Sequence, residues 1–173
     1  MFRAAADVLD SFLQALQDTS FATAIREGAT LFPWIECVHV LALTVVVGSI
    51  AIVDLRLIGL TSRHRGVAQV TAAVLPITWS AFVCAAISGG LLFSSNATAY
   101  GHNRHFQIKM ALMLVAGVNM GVYHLFMSRG VQTWQTSAVT PLRARIAGTL
   151  SLCLWIAIVA SGRWIGFTLN ALT

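Results

Sequence analysis

Two ionisable residues stand one helical turn apart at the start of a long apolar run. They are Glu36 and His39, in the stretch FPWIECVHVLALTVVVGSIAIVDLRLIGL. Ionisable side chains are costly in hydrocarbon, and in membrane helices they usually face the bundle interior and serve a function. An imidazole can ligate a metal, and a neighbouring carboxylate can orient it. The pair therefore predicts an interior site near one end of this helix.

Further ionisable residues fall at the same predicted depth on two other apolar runs. His105 and Lys109 open the third run, and the fourth run returns Arg163 to that level. Two interpretations follow from this clustering. Glu36 could pair with Lys109 or Arg163 and fix the order of the helices. Alternatively, the cluster could bind a ligand.

The histidines favour a haem site, because facing helices of a four-helix bundle can hold a b-type haem through axial histidines. In this interpretation Lys109 and Arg163 neutralise haem propionates or a quinone anion, and Glu36 orients His39 or relays a proton. A histidine that only makes an interior hydrogen bond is the alternative. The candidate ligands, in order of preference, are His39, His124, His105 and His64.

The number of haems is left open by helix geometry. His105 and His124 are 19 residues apart. That separation is about 28 Å along a helix axis, which nearly spans the hydrocarbon. Two haems on these ligands would sit at the two membrane surfaces, so a single haem, or none, is as good an expectation as two.

Asp54 lies at the other end of the first run, close in sequence to Arg56. Arg143 and Arg145 precede the fourth run and reach the same level. Long basic side chains at helix ends can extend to water while pairing with an acid. These residues predict structural ion pairing for Asp54.

Sulfur ligands suggest copper as a different use of the bundle. Cu(I) prefers thioether and thiolate ligands, and the third run contains Met110, Met113, Met120 and Met127. On a helix Met110 points away from Met113 and Met120, so gap-filling packing is the preferred interpretation. A small ion or copper transporter stays an alternative. The cysteines share no metal-ligand spacing and are predicted to be buried packing residues: Cys37, Cys84 and Cys153.

The composition is that of a membrane protein. The chain has 173 residues, of which 57% are hydrophobic and 10% charged, with a mean hydropathy of +0.78. Soluble domains carry about 25% charged residues. Four apolar runs are long enough to cross a bilayer, which takes about 20 helical residues. They extend approximately over Phe32–Ile58, Val67–Phe93, Phe106–Met127 and Ile146–Leu169.

The predicted fold is an all-α, integral membrane four-helix bundle preceded by an N-terminal amphipathic interfacial helix. Residues 1–31 form the amphipathic segment, because apolar residues recur there at helical spacing. Residues 32–173 form the bundle. Small-residue seams, Gly117–Gly121 in the third run and Gly162–Gly166 in the fourth, predict close helix packing, either within the bundle or against a partner subunit.

The net charge of +5 indicates topology rather than a nucleic-acid partner. Six of the 11 basic residues lie in the two loops on one side of the bundle. Lys and Arg stay cytoplasmic, so both termini are predicted to be periplasmic in a bacterial inner membrane. Nucleic-acid binding would need a basic face with interleaved aromatic residues, which the chain lacks.

Several motifs together suggest a family. The stretches LFPWIECVHVLALTVVVGSIAIVDLRLIGL, KMALMLVAGVNMGVYH and SLCLWIAIVASGRWIGF resemble an uncharacterised family of bacterial four-helix membrane proteins, a domain of unknown function. That family is distantly similar to the membrane domain of copper-resistance protein D and to cytochrome b561-like two-haem membrane proteins. The resemblance implies a bundle that holds haem b and exchanges electrons with quinone.

The expected function is therefore electron transfer between quinone and a periplasmic-side partner. The alternatives are a haem-free accessory subunit of a larger membrane complex or homo-oligomer, and the small transporter. No nucleophile lies beside a base in a pattern that indicates covalent catalysis.

Overall fold

The computed structural model describes residues 2–61, 66–122, 125 and 141–170. Within these residues the chain is helical and has no β-strand, which confirms the predicted fold class. Seven helices are present there: α1 Phe2–Gln17, α2 Ser20–Glu27, α3 Leu31–Ile58, α4 Val67–Ser95, α5 Ala97–His102, α6 Arg104–Val122 and α7 Leu142–Asn170.

Four of the helices, α3, α4, α6 and α7, are long and apolar enough to cross a membrane, as predicted. Large apolar side chains such as Ile87, Leu114 and Ile156 lie on their outer surfaces. Small residues such as Ala85 and Ala116 are buried between helices. This distribution suits lipid, where small residues let helix backbones approach closely. The chain is thus a multi-pass membrane protein.

Helix α3 occupies the centre of the packing. It packs along both α4 and α7, and α6 packs along α7. The side between α4 and α6 is the least extensively packed of the four. There the Phe93 and Phe106 rings stack, with centroids 5.2 Å apart. We call this end of the bundle, where α5 lies, the α5 end, and the opposite end the Asp54 end.

The N-terminal segment is fastened to the α5 end by hydrogen bonds. Arg26 Nη1 donates to the Ser95 carbonyl oxygen at 3.0 Å and to the Gln17 carbonyl oxygen at 3.3 Å. The Gln17 side-chain oxygen accepts from the Thr98 amide at 3.1 Å and from the Thr98 hydroxyl at 2.7 Å. Together α1 and α2 therefore form a cap over the corner between α4 and α5.

The two faces of α1 differ in their surroundings. Leu13 is buried and packs on Gly101 of α5. Its Cδ1 lies only 2.7 Å from the position that a Cβ on Gly101 would occupy. Val8, Leu9 and Phe12 are more than half exposed. An apolar face of this kind suits the boundary between lipid headgroups and acyl chains, as the amphipathic pattern predicts.

Packing corrects two expectations about small residues. A Cβ on Gly117, Gly121 or Gly166 would meet no atom within 4 Å, so most of the predicted seam positions are open. Gly148, in contrast, sits directly against α3. The prediction of buried cysteines was also wrong, because Cys37, Cys84 and Cys153 are exposed. A thiol is apolar enough to face lipid, so apolar surroundings alone did not imply burial.

Gly148→Ala should destabilise the bundle, whereas Gly166→Ala should not. A Cβ at Gly148 would lie 3.0 Å from Leu57 Cβ and 3.1 Å from the Asp54 carbonyl oxygen, so α7 must move away from α3. Overpacking of this kind costs about 1–3 kcal/mol. The free energy of unfolding in mixed micelles measures the difference. Equal stabilities of the two variants would contradict the close contact.

Candidate functional site

The His39 ring is held in one orientation by α4. Its Nδ1 lies 3.0 Å from the Ala85 carbonyl oxygen and 3.1 Å from Ser88 Oγ. A carbonyl oxygen only accepts, so Nδ1 is the protonated nitrogen. In a neutral imidazole the other nitrogen, Nε2, then carries the lone pair. No hydrogen bond to Nε2 occurs among the described residues.

Gly89 explains why the ring can lie so close to α4. A Cβ at this position would be 2.9 Å from His39 Cε1 and 3.3 Å from Nδ1. Any larger residue would therefore displace the imidazole from the Ala85 carbonyl. The neighbouring Gly90 faces open space, because no atom lies within 4 Å of its Cβ position.

Lys109 brings a positive charge to His39 from the other side of the bundle. The positive charge of its ammonium acts on the imidazole. The Nζ lies 3.5 Å from the Cβ position of Gly162 on α7, so the side chain runs along that helix. Where the structure describes the chain, the one ion pair joins Asp10 and His102 at 3.2 Å. The Lys109 ammonium therefore has no carboxylate partner there.

Glu36 and Arg163 do not join His39 and Lys109. Both are exposed, and the predicted ion pairs of Glu36 with Lys109 or Arg163 are absent from the described residues. Arg163 stacks over the Phe167 ring, 5.2 Å from its centroid. Glu36 does not orient His39, since the Ala85 carbonyl does so.

The Glu36 carboxylate acts instead on α5. Burial raises the pKa of Tyr100, and the negative charge of Glu36 raises it further. Tyr100 packs against Phe93 and Phe106, with ring centroids 6.3 Å and 5.9 Å away. Glu36 thus lies beside the aromatic cluster at the α5 end.

The remaining candidate histidines have different surroundings. His105 is half-buried and packs on Trp164, with ring centroids 6.0 Å apart. Its backbone amide donates to Asn103 Oδ1 at 2.9 Å, which caps the start of α6. His64 and His124 lie outside the described residues, so their placement as ligands stays a prediction.

The donor set fits a haem ligand better than a bound copper ion. In the described part of the chain, no three His, Cys, Asp or Glu side chains come together as metal ligands. Met110 and Met120 are exposed rather than clustered around an ion. A haem iron can be ligated by a single histidine from a helix. His39 has the features of such a ligand, because its Nδ1 is held by a hydrogen bond and its Nε2 carries a lone pair.

The surroundings of Asp54, a second polar centre, differ from the ion pairs that the sequence predicts. Asp54 is 4% exposed and lies in a cavity between the spanning helices. It makes no ion pair with Arg143 or Arg145, both of which are exposed. The Ser151 hydroxyl hydrogen-bonds its carboxylate instead. The sequence predicts arginines as the partners of the Asp54 carboxylate, whereas the packing of α7 on α3 gives it the Ser151 hydroxyl.

Comparison with known protein families shows which family the chain belongs to. A family model described as a family of unknown function, DUF6644, matches residues 15–168. The chain belongs to this family. His39, Lys109 and Asp54 all fall within the matched region. Comparisons with curated proteins and with solved structures found no match, so the resemblance to copper-resistance protein D and to cytochrome b561-like proteins stays a prediction.

Neutralising Glu36 and Arg163 should give additive effects on stability. We expect Glu36→Gln and Arg163→Gln each to change the unfolding free energy by less than about 0.5 kcal/mol, because both side chains are exposed. The double variant should match the sum of the two to within about 0.5 kcal/mol. Unfolding in mixed micelles measures all three. If the double variant loses clearly less unfolding free energy than the two single variants lose together, the two residues pair.

Proposed function

We propose that the protein transfers electrons in a bacterial inner membrane, with His39 ligating a b-type haem. The observation that carries the proposal is the fixed His39 ring. Nδ1 is held by the Ala85 carbonyl at 3.0 Å, so Nε2 keeps a lone pair for a ligand. Histidines that ligate metals commonly donate their other N–H to a carbonyl or carboxylate in this way.

The charge of Lys109 supports the same proposal. An ammonium inside a membrane bundle is costly unless an anion compensates it. With no carboxylate partner in the described chain, Lys109 suits an anionic group bound beside His39. A haem propionate or a quinone oxygen that gains charge on reduction has that character.

The least packed side of the bundle gives such a ligand a route from lipid. His39 packs on α4 and Lys109 belongs to α6, and these are the two helices that border this side. The aromatic stack of Phe93 and Phe106 closes that side at the α5 end. A lipid-soluble quinone would therefore approach from the bilayer below the stack.

In this proposal each residue has a distinct role. His39 would hold the iron through Nε2, and Lys109 would pair with a propionate or with quinone. A further histidine for the same haem would be His105, which lies at the start of α6 at the same end of the bundle, whereas His124 and His64 would serve a second haem toward the opposite end. When bound, the haem supplies a one-electron carrier between quinone and a periplasmic-side partner.

Membrane orientation is proposed from the basic residues. Arg143 and Arg145 begin α7 at the Asp54 end, and Arg56 is close to the end of α3. By the positive-inside rule this end faces the cytoplasm. Both termini would then be periplasmic, and so would the cap formed by α1 and α2.

A reduced-minus-oxidised absorption spectrum of the detergent-purified protein tests the haem proposal. We expect a b-type signal near one or two haems per chain after expression with ample haem. His39→Ala should remove the signal of the haem that His39 ligates, while the protein still inserts. A colourless wild-type protein would overturn the proposal and favour the haem-free accessory subunit, which would co-purify with a partner.

Gly89→Ala should reduce haem content without removing any candidate ligand. The new Cβ would lie 2.9 Å from His39 Cε1, so the ring must leave the Ala85 carbonyl. Gly90→Ala is the matched control, because its Cβ would meet open space. Haem per chain, measured on purified protein, should fall for the first variant and not for the second. Equal haem contents would argue that the orientation of His39 is irrelevant to binding.

A further inference from the structure

A cavity between all four spanning helices lies at the Asp54 end of the bundle. Its volume is about 100 Å³. A buried water needs about 10–15 Å³ of such volume, so an ion with some hydration fits. The polar side chains that line the cavity come from every spanning helix: Asp54, Thr71, Thr78, Asn119 and Ser151.

The Asp54 carboxylate in this cavity is incompletely compensated. The side chain is 4% exposed, and its Oδ2 has no hydrogen-bond partner among the described residues. Ser151 bonds to the carboxylate, but a hydroxyl carries no charge. A buried carboxylate is expensive unless a positive charge or further donors compensate it. No lining side chain is cationic, and Ser151 is the one hydrogen-bond donor to the carboxylate among the described residues.

Three of the neighbouring polar groups each donate a proton to a known acceptor. Thr78 donates its hydroxyl proton to Ser49 Oγ at 2.8 Å, or to the carbonyl of its own helix turn at 3.0 Å. Asn119 Nδ2 donates to the Ala147 carbonyl at 3.2 Å, so its Oδ1 remains an acceptor. Ser151 donates to the carboxylate. These three groups therefore offer oxygen lone pairs, which suit a cation.

We propose that this cavity binds a monovalent metal cation of the sodium class. Asp54 supplies the charge, and Thr78, Asn119 and Ser151 supply neutral oxygens. Oxygen donors are the ligands that hard cations prefer. A single carboxylate balances a single positive charge, whereas a divalent ion would leave one charge uncompensated in a low-dielectric interior. The proposal is independent of haem.

Occupancy of this cavity would join the four spanning helices. Because the proposed ligands come from α3, α4, α6 and α7, an ion bound there stabilises the folded bundle relative to the unfolded chain. A ligand that binds only the native state raises the melting temperature as its concentration increases. Sodium is therefore detectable through stability, with no need for an assay of electron transfer.

The test is the melting temperature of the full-length protein in lipid nanodiscs as sodium chloride replaces N-methylglucamine chloride at constant ionic strength. N-methylglucamine keeps the ionic strength constant but is a large organic cation that cannot replace a metal ion coordinated by oxygen atoms. We expect a rise of about 3 °C or more between 1 and 150 mM sodium. Asp54→Asn should abolish the rise, and Asp7→Asn, which removes an exposed acid, should leave it intact.

A second pair of variants keeps the test decisive if Asp54→Asn fails to fold. Thr78→Val removes one proposed oxygen and should raise the half-saturating sodium concentration about tenfold. Thr44→Val is its matched control, because the Thr44 hydroxyl is exposed and bonds only within its own helix, to the Val40 carbonyl at 2.9 Å. No sodium response in the wild type, or one unchanged in both Asp54→Asn and Thr78→Val, would overturn the proposal.

Discussion

The close approach of α3 to both of its neighbours is the constraint on which the other features depend. In lipid, helix association gains little from burying apolar surface, so backbones must come close and polar groups must bond across helices. Helix α3 uses both devices. His39 reaches the α4 backbone over Gly89, and Gly148 brings α7 against the backbone of Asp54. The orientation of both proposed ligand sites follows from these two contacts.

The two sites are opposite in sign. The Lys109 ammonium toward the α5 end and the Asp54 carboxylate toward the other end each lack an ion pair among the described residues. Arg56 is a further buried charged residue at the Asp54 end. Charges kept only to hold helices together would be expected to pair with each other. Their separation along the bundle prevents that, which is why each is better understood through a ligand of opposite charge.

Hydropathy was sufficient to predict the four spanning helices, because length and apolar composition are set by the bilayer itself. The partners of the ionisable residues were not predictable in the same way. A spacing of one helical turn predicts Glu36 as the partner of His39, but the ring bonds to Ala85, 46 residues away. Spacing shows which residues share a helix face and leaves open which helix that face meets. Likewise, α5 has only six residues, too few for a periodic pattern.

The cap over the α5 end has a consequence for the order of events during synthesis. Arg26 emerges from the ribosome early, yet the carbonyl that it binds belongs to Ser95, 69 residues later. The docking surface for α1 and α2 therefore does not exist until the second spanning helix has been made. Until then α1 lacks the contacts with α4 and α5 that hold it in the folded protein, and the membrane surface can shelter its apolar face.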